Sequence, residues 1–244
     1  MKIPLYAAHR GYSSRAPENT IPAFEEAVKA GFGAVECDIW EGKGKRGPEF
    51  FVFHDETLKR MCGADVKTTE LTKENVSSFP VISGNNIQSY GGALKIPSLE
   101  EYLDILEPSR AVPIIEIKGN SRLTENGAEV LMKTIYDRLS DRQIILQSFG
   151  RENLRKVRPY TKQGTELFLL AKKREMLKRQ RLEEYKKEGI HGLSIKYTLA
   201  AFLPEIKACA LKTAVWTVNF RVQAAHLIKT GKADILISNR KLFI

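Results

Sequence analysis

Short β-branched runs alternate with amphipathic segments along the whole chain, and eight of those runs can be matched to parallel strands, so the sequence predicts an α/β fold of the (β/α)8 TIM-barrel type. Length agrees: 244 residues, 43% of them hydrophobic, suit one barrel domain over residues 1–244, since barrels of roughly 250 residues fold as one unit. A doubly wound open sheet shares the same periodicity and is the structural rival.

The first strand runs through Leu5–Ala8 and ends at His9. A loop rich in Ser, Arg and Pro leads to a helix that Thr20 can cap, with Pro22 in its first turn and Phe24, Ala27, Val28 and Gly31 on one side. Gly33–Ile39 reads as the second strand, followed by a glycine-rich loop (Gly42, Gly44, Gly47) and a further strand, Phe50–Phe53, ending at His54-Asp55. That loop is too short for a crossover helix, so these two strands pair directly and the latter stands outside the count of eight. Residues 57 to about 97 are irregular and polar, an insertion within the barrel domain. Order resumes at the capping box Ser98-Leu99-Glu100-Glu101, with Leu99, Tyr102, Leu103 and Leu106 as the buried stripe. Strands then recur at Val112–Ile117, Gln143–Gln147, Thr165–Leu170, Gly189–Ile195, Thr213–Val218 and Asp234–Ser238. Of the helices between them, one carries Ala128, Leu131, Ile135 and Leu139 on one face. No internal repeat or low-complexity tract interrupts this order.

Three cysteines, Cys37, Cys62 and Cys209, are odd in number and widely spaced, which points to a reducing compartment. Met1 is followed almost at once by the first strand, leaving no apolar core for a signal peptide, and no run of about 18 apolar residues offers a membrane span. The expectation is a cytoplasmic protein without stable membrane insertion. A formal net charge of +10 favours anionic partners: phosphorylated metabolites, nucleic acid or anionic lipid. The densest basic run, Lys172 to Lys187, is interleaved with Glu175, Glu183 and Glu184, the pattern of a solvated helix face rather than a nucleic-acid patch.

The chemistry-bearing residues fall at strand carboxyl ends, where barrel active sites are built. Glu36 and Asp38 are two apart on a strand and project from one face. Carboxylates so close raise each other's pKa unless a cation lies between them. Glu116 supplies a third from another strand end, and hard oxygen donors point to Mg²⁺ or Ca²⁺. An isolated E-x-D is a weak motif, and an exposed pair on an edge strand is the bland alternative. His9 and His54 stand at two other strand ends as candidate general acid and base, and Arg10 and Lys118 are cations suited to phosphoryl oxygens. His191 and His226 have no reactive neighbour in sequence and read as structural.

Taken in order, His9-Arg10-Gly11, Pro17-Glu18-Asn19-Thr20, Glu36-x-Asp38, His54-Asp55, Glu116-x-Lys118, Gln147-Ser148-Phe149 and Trp216-Thr217-Val218-Asn219 resemble the motifs of the glycerophosphodiester phosphodiesterase family. The matches span nearly the whole chain. The resemblance implies metal-dependent hydrolysis of a small-molecule glycerophosphodiester to glycerol phosphate and an alcohol. It assigns the metal to Glu36, Asp38 and Glu116, the acid/base pair to His9 and His54, and phosphate contacts to Arg10 and Lys118. Trp216 would line the substrate pocket, and Glu18 and Asn19 would order the loop beside His9. Two positions depart from the family pattern: Ser238-Asn239-Arg240 replaces a Thr-Asp pair before proline, and Phe220 replaces a polar residue. A lysophospholipase D on the same scaffold and a non-catalytic binder of phosphorylated ligands are the rival readings.

Overall fold

The computed structural model describes residues 3–242. Eight parallel strands close into a barrel: β1 (Leu5–Ala8), β2 (Ala34–Gly44), β4 (Val112–Ile117), β5 (Ile144–Ser148), β6 (Thr165–Ala171), β7 (Gly192–Lys196), β8 (Lys212–Trp216) and β9 (Ile235–Ser238). The closing seam is β1, which pairs with β2 on one side and with β9 on the other, from Leu5 opposite Ile235 to Ala8 opposite Ser238. That closure excludes the open-sheet rival, and the Ser238-Asn239 departure does not disturb it. Helices α1 (Ile21–Lys29), α3 (Leu99–Leu106), α4 (Glu125–Arg138), α5 (Arg151–Val157), α6 (Arg179–Lys187), α7 (Leu203–Ala208) and α8 (Arg221–Thr230) lie between the strands, and α2 (Lys59–Cys62) is a single turn in the insertion.

Several boundaries differ from the sequence expectation for identifiable reasons. The glycine-rich stretch is strand, not loop: β2 runs on to Gly44 and pairs antiparallel with β3 (Gly47–Val52) as a long hairpin. Gly42 is required there because a Cβ would stand 2.3 Å from the Leu71 carbonyl oxygen. Gly189 belongs to the turn after α6, with φ +79°, so β7 begins only at Gly192. Thr20 holds the N-cap position of α1, but its hydroxyl donates backwards to the Pro17 carbonyl (2.6 Å) instead of capping the helix. Residues 57 to 97 contain α2, three short 3-10 turns and isolated bridges, over an apolar cluster that includes Trp40, Phe53, Leu58, Met61 and Ile96.

Two apolar layers carry the barrel. Inside it, Ala7, Ala34, Ile114, Ile145, Phe168, Ala214, Ile235 and Ile237 fill the lower interior. Outside it, helix faces pack on the alternate strand residues, as with Phe24, Tyr102, Leu131 and Ile135 against Val35, Cys37 and Ile115. The α3 capping box forms as expected, with Ser98 accepting from the Glu101 N–H (3.3 Å) and Glu101 accepting from the Ser98 N–H (3.0 Å). Leu99, Tyr102, Leu103 and Leu106 are all fully buried. Tyr102 packs edge-on to Phe24 at 4.8 Å between ring centroids and donates its hydroxyl to the Val35 carbonyl at 2.7 Å. No helix among the described residues is long and apolar enough to cross a membrane.

The Tyr102 hydroxyl joins α3 to the strand that carries Glu36 and Asp38. Tyr102→Phe keeps the ring packing and deletes one buried hydrogen bond, so urea denaturation should show a loss of about 1 kcal/mol with an unchanged m-value.

Candidate active site

The interior phase of each strand continues past the apolar layer and delivers the polar residues to one rim. On β2, Ala34 faces inward, and two-residue steps lead to Glu36 and Asp38. The same step takes Ile114 to Glu116 and Lys118, Ile145 to Gln147 and Phe149, Ala7 to His9, and Ile237 to Asn239. On β6 it takes Phe168 through Leu170 to Lys172. His54 arrives differently, from just beyond β3, where the hairpin brings the chain back to the rim. His9, Arg10, Glu36, His54, Glu116, Lys118 and Trp216 all line one cavity of about 210 Å³.

Glu36 and Asp38 are each 1% exposed and Glu116 is 7% exposed, which excludes the exposed-edge alternative. One oxygen of each carboxylate lies within 4.8 Å of the others. Burial, and then the charges of Asp38 and Glu116, push Glu36 well above the usual carboxylate range. Burial and Asp38 push Glu116 up to about 7. Asp38 goes the other way: against the pull of burial, Lys118, Arg10 and the Asn19 hydrogen bond hold it well below the usual range. Lys118 Nζ lies 2.8 Å from Glu116 and 3.3 Å from Asp38, and the Arg10 Nε is 3.2 Å from Asp38, off the hydrogen-bond direction. A buried cluster of three hard oxygen donors, two of them with their ionised forms disfavoured, fits a divalent cation.

The loop after β1 is wound tightly around this cluster. Arg10 and Asn19 both adopt left-handed backbone conformations, with φ of 55° and 56°, uncommon for residues with a side chain. Arg10 thereby aims its N–H at Glu36 (2.8 Å) and its guanidinium at Glu18 (2.9 Å). Asn19 donates to the Asp38 carboxylate (2.8 Å) and accepts from the Asp38 N–H (3.2 Å), so it orders a proposed ligand directly. Glu18 also accepts from Arg60 (2.6 Å), whose Nε reaches Asp55 (2.5 Å). That chain of ion pairs ties the His9 loop to the His54 loop.

The two imidazoles are backed differently. His9 Nδ1 is 2.6 Å from Asn239 Oδ1, and His54 Nδ1 is 2.7 Å from Asp55 Oδ1. An oxygen acceptor at each Nδ1 favours the tautomer with its proton there, which leaves Nε2 as the basic nitrogen of each ring. Burial, reinforced by Arg10, brings His9 down to about 4. Burial also lowers His54, with Lys118 and Arg10 adding to it and Asp38 and Asp55 opposing.

Every residue singled out from the sequence is in or beside the cavity. Four further residues touch the site: Asn239 and Lys172 were not expected there, and Gln147 and Phe149 were quoted within a motif but given no role. Asn239, noticed only as a departure, contacts His9 and is held by Asn219 Oδ1, which accepts from its N–H at 2.9 Å. Gln147 is buried, donates to Glu36 at 3.4 Å, and its Oε1 has no partner among the described residues. Phe149 meets Trp216 edge-to-face at 5.9 Å. Lys172 belonged to the run read as a solvated helix face; that reading holds for α6, with Arg179–Glu183 and Arg181–Glu184 pairs at 3.0 Å, but Lys172 precedes the helix and lines the cavity. Continuing the two-residue step beyond Phe168 and Leu170 is the signal that would have located it.

A model of the Glycerophosphoryl diester phosphodiesterase family matches residues 9–241. Among curated proteins, a glycerophosphodiester phosphodiesterase of Caldanaerobacter subterraneus subsp. tengcongensis is 27% identical over 98% of this chain and 96% of its own length. One from Bacillus subtilis is 27% identical over 98% of this chain and 85% of its own. Among solved structures, a phosphodiesterase of Oleispira antarctica, in complex with the product sn-glycerol-3-phosphate, superposes with a TM-score of 0.83. It is 22% identical, over 97% of this chain and 93% of that one, a likeness of fold.

A cation that binds the folded carboxylate cluster stabilises the fold by linkage, by about 2.7 kcal/mol when present at a hundredfold excess over its Kd. Mg²⁺ or Ca²⁺ should therefore raise the melting temperature, and Glu36→Gln should abolish most of that rise; calorimetry in the presence and absence of EDTA reads both.

Proposed function

The chain belongs to the glycerophosphoryl diester phosphodiesterase family, a family of phosphoric diester hydrolases, and from that premise we propose that it hydrolyses glycerophosphodiesters to glycerol phosphate and an alcohol by metal-dependent, two-histidine catalysis. One observation carries the reading: two imidazoles, the cations Arg10, Lys118 and Lys172, and Glu36 and Glu116 line the same small cavity, with Asp38 completing the carboxylate cluster behind them. A phosphodiester carries a negative charge that repels nucleophiles, and this cavity offers Arg10, Lys118 and a carboxylate cluster suited to a cation to offset it.

Glu36, Asp38 and Glu116 would hold the ion, Mg²⁺ or Ca²⁺ by the hardness of the donors. When bound, it supplies charge neutralisation of the phosphoryl oxygens and lowers the pKa of an attacking hydroxyl. Lys118, now bridging Asp38 and Glu116, and Arg10, braced by Glu18, are the cations for the remaining phosphoryl oxygens. His9 and His54 act as the acid/base pair: one accepts the proton of the attacking hydroxyl and the other protonates the departing alkoxide. Asn239 and Asp55 hold the two rings with Nε2 free for those transfers. Glu18 and Asn19 order the His9 loop and Asp38. Trp216, anchored through its indole N–H to the Ser194 carbonyl at 3.1 Å, forms the apolar wall of the substrate pocket.

Turnover of glycerophosphoglycerol, followed as glycerol phosphate release, should require Mg²⁺ or Ca²⁺ and stop with EDTA. His9→Ala and His54→Ala should each lower kcat by about 10²–10⁴, the range for a positioned acid or base. Full activity in either variant, or in EDTA, would remove the mechanism.

A further inference from the structure

A cleft of about 720 Å³ opens from the reaction cavity and shares with it His54, Glu116, Lys118, Phe149 and Lys172. Its charged groups do not balance. Glu56 is paired with Arg122 (2.9 Å), and Glu116 with Lys118 (2.8 Å). Lys172 and Lys173 have no carboxylate partner among the described residues. Lys172 and Lys173 are both solvent-exposed, and Lys172 has a defined seat. It tops the inward column Phe168, Leu170, Lys172 of β6, and its ammonium stands 5.1 Å over the Phe149 ring, which is itself braced by Trp216.

The opposite flank of the cavity offers no compensating acid. There a second cleft, of about 620 Å³, contains Glu18, but Arg10 and Arg60 already engage it at 2.9 and 2.6 Å. A cationic alcohol such as choline is held by unpaired carboxylates or by open aromatic faces. Here the cleft carboxylates are paired and Lys172 covers Phe149. Arg10, Lys118 and a cation held by the carboxylate cluster would serve the reacting phosphodiester, which leaves Lys172 and Lys173 for a second anionic group.

Resting on the diesterase reading above, we propose that the preferred substrate carries a second negative charge on its alcohol portion, as in a phosphorylated polyol, and that Lys172 and Lys173 form the subsite that receives it. The test compares kcat/KM, with Mg²⁺ present, for glycerophosphocholine, glycerophosphoglycerol and glycerophosphoinositol 4-phosphate. The order expected is anionic over neutral over cationic, expressed mainly in KM and narrowing as salt rises through the Debye range. Because one unit charge near a protein surface changes binding by roughly fivefold or more, Lys173→Glu should cut the anionic-to-choline ratio by at least about tenfold, and Lys172→Gln by about fivefold. Glycerophosphocholine as the preferred substrate, or a ratio unmoved by Lys173→Glu, overturns the proposal. Failure to hydrolyse any of the three overturns the diesterase reading itself, and the subsite with it.

Discussion

Three acidic side chains are buried together at the mouth of an otherwise apolar barrel, and the rest of the site is arranged around that electrostatic problem. In a low-dielectric setting the repulsion among Glu36, Asp38 and Glu116 is costly unless cations or protons offset it. The cluster draws on both. Asp38 stays ionised because Lys118, Arg10 and Asn19 converge on it, whereas Glu36 and Glu116 are driven toward their neutral forms. A divalent ion would replace that partial compromise with full compensation, so the geometry of the cluster favours metal.

Rigidity at the rim comes from loops tied to one another rather than from the barrel alone. The left-handed turns at Arg10 and Asn19 are tolerated because each makes contacts with a β2 carboxylate that a relaxed backbone would lose. The insertion after β3 is part of this support. Arg60, from its helical turn, joins Glu18 to Asp55, and Asn85 and Asn86 donate to the Ser13 and Arg15 carbonyls of the loop after β1. The insertion thus clamps the two histidine-bearing segments to a common frame. Positioning of this kind matters for acid/base chemistry, where a misplacement of about 1 Å can cost a hundredfold in rate.

The asymmetry between the two imidazoles follows from their partners. Burial disfavours the imidazolium in both rings; the carboxylate behind His54 opposes that with a full charge, and the amide behind His9 only with a neutral hydrogen bond. The departure at Asn239 is therefore confined to the electrostatics of one ring and leaves closure of the barrel intact, because β9 pairs with β1 through backbone groups that do not depend on that side chain. The Phe220 departure lies on the exposed rim, beside the flanking cleft and away from the carboxylates.

How much of this was legible beforehand can be judged residue by residue. Strand spacing predicted a barrel but left the open sheet as its rival, and the ordered motifs, read through the family resemblance, picked out the E-x-D pair, both histidines, Arg10, Glu116 and Lys118 at strand ends. The extent of the β2–β3 hairpin was not legible, since its glycines read as loop until the close approach of Leu71 explains them. Nor were the pairings of Asn239 with His9, of Arg60 with Glu18, or of Lys172 with Phe149. Alternation along the strands set which face of each run turns inward, and residue chemistry set what the side chains at the strand ends can do. Only the closed tertiary structure decided which of them meet, because contacts across a barrel join positions far apart in the chain through strand register and tilt, quantities that no local pattern encodes.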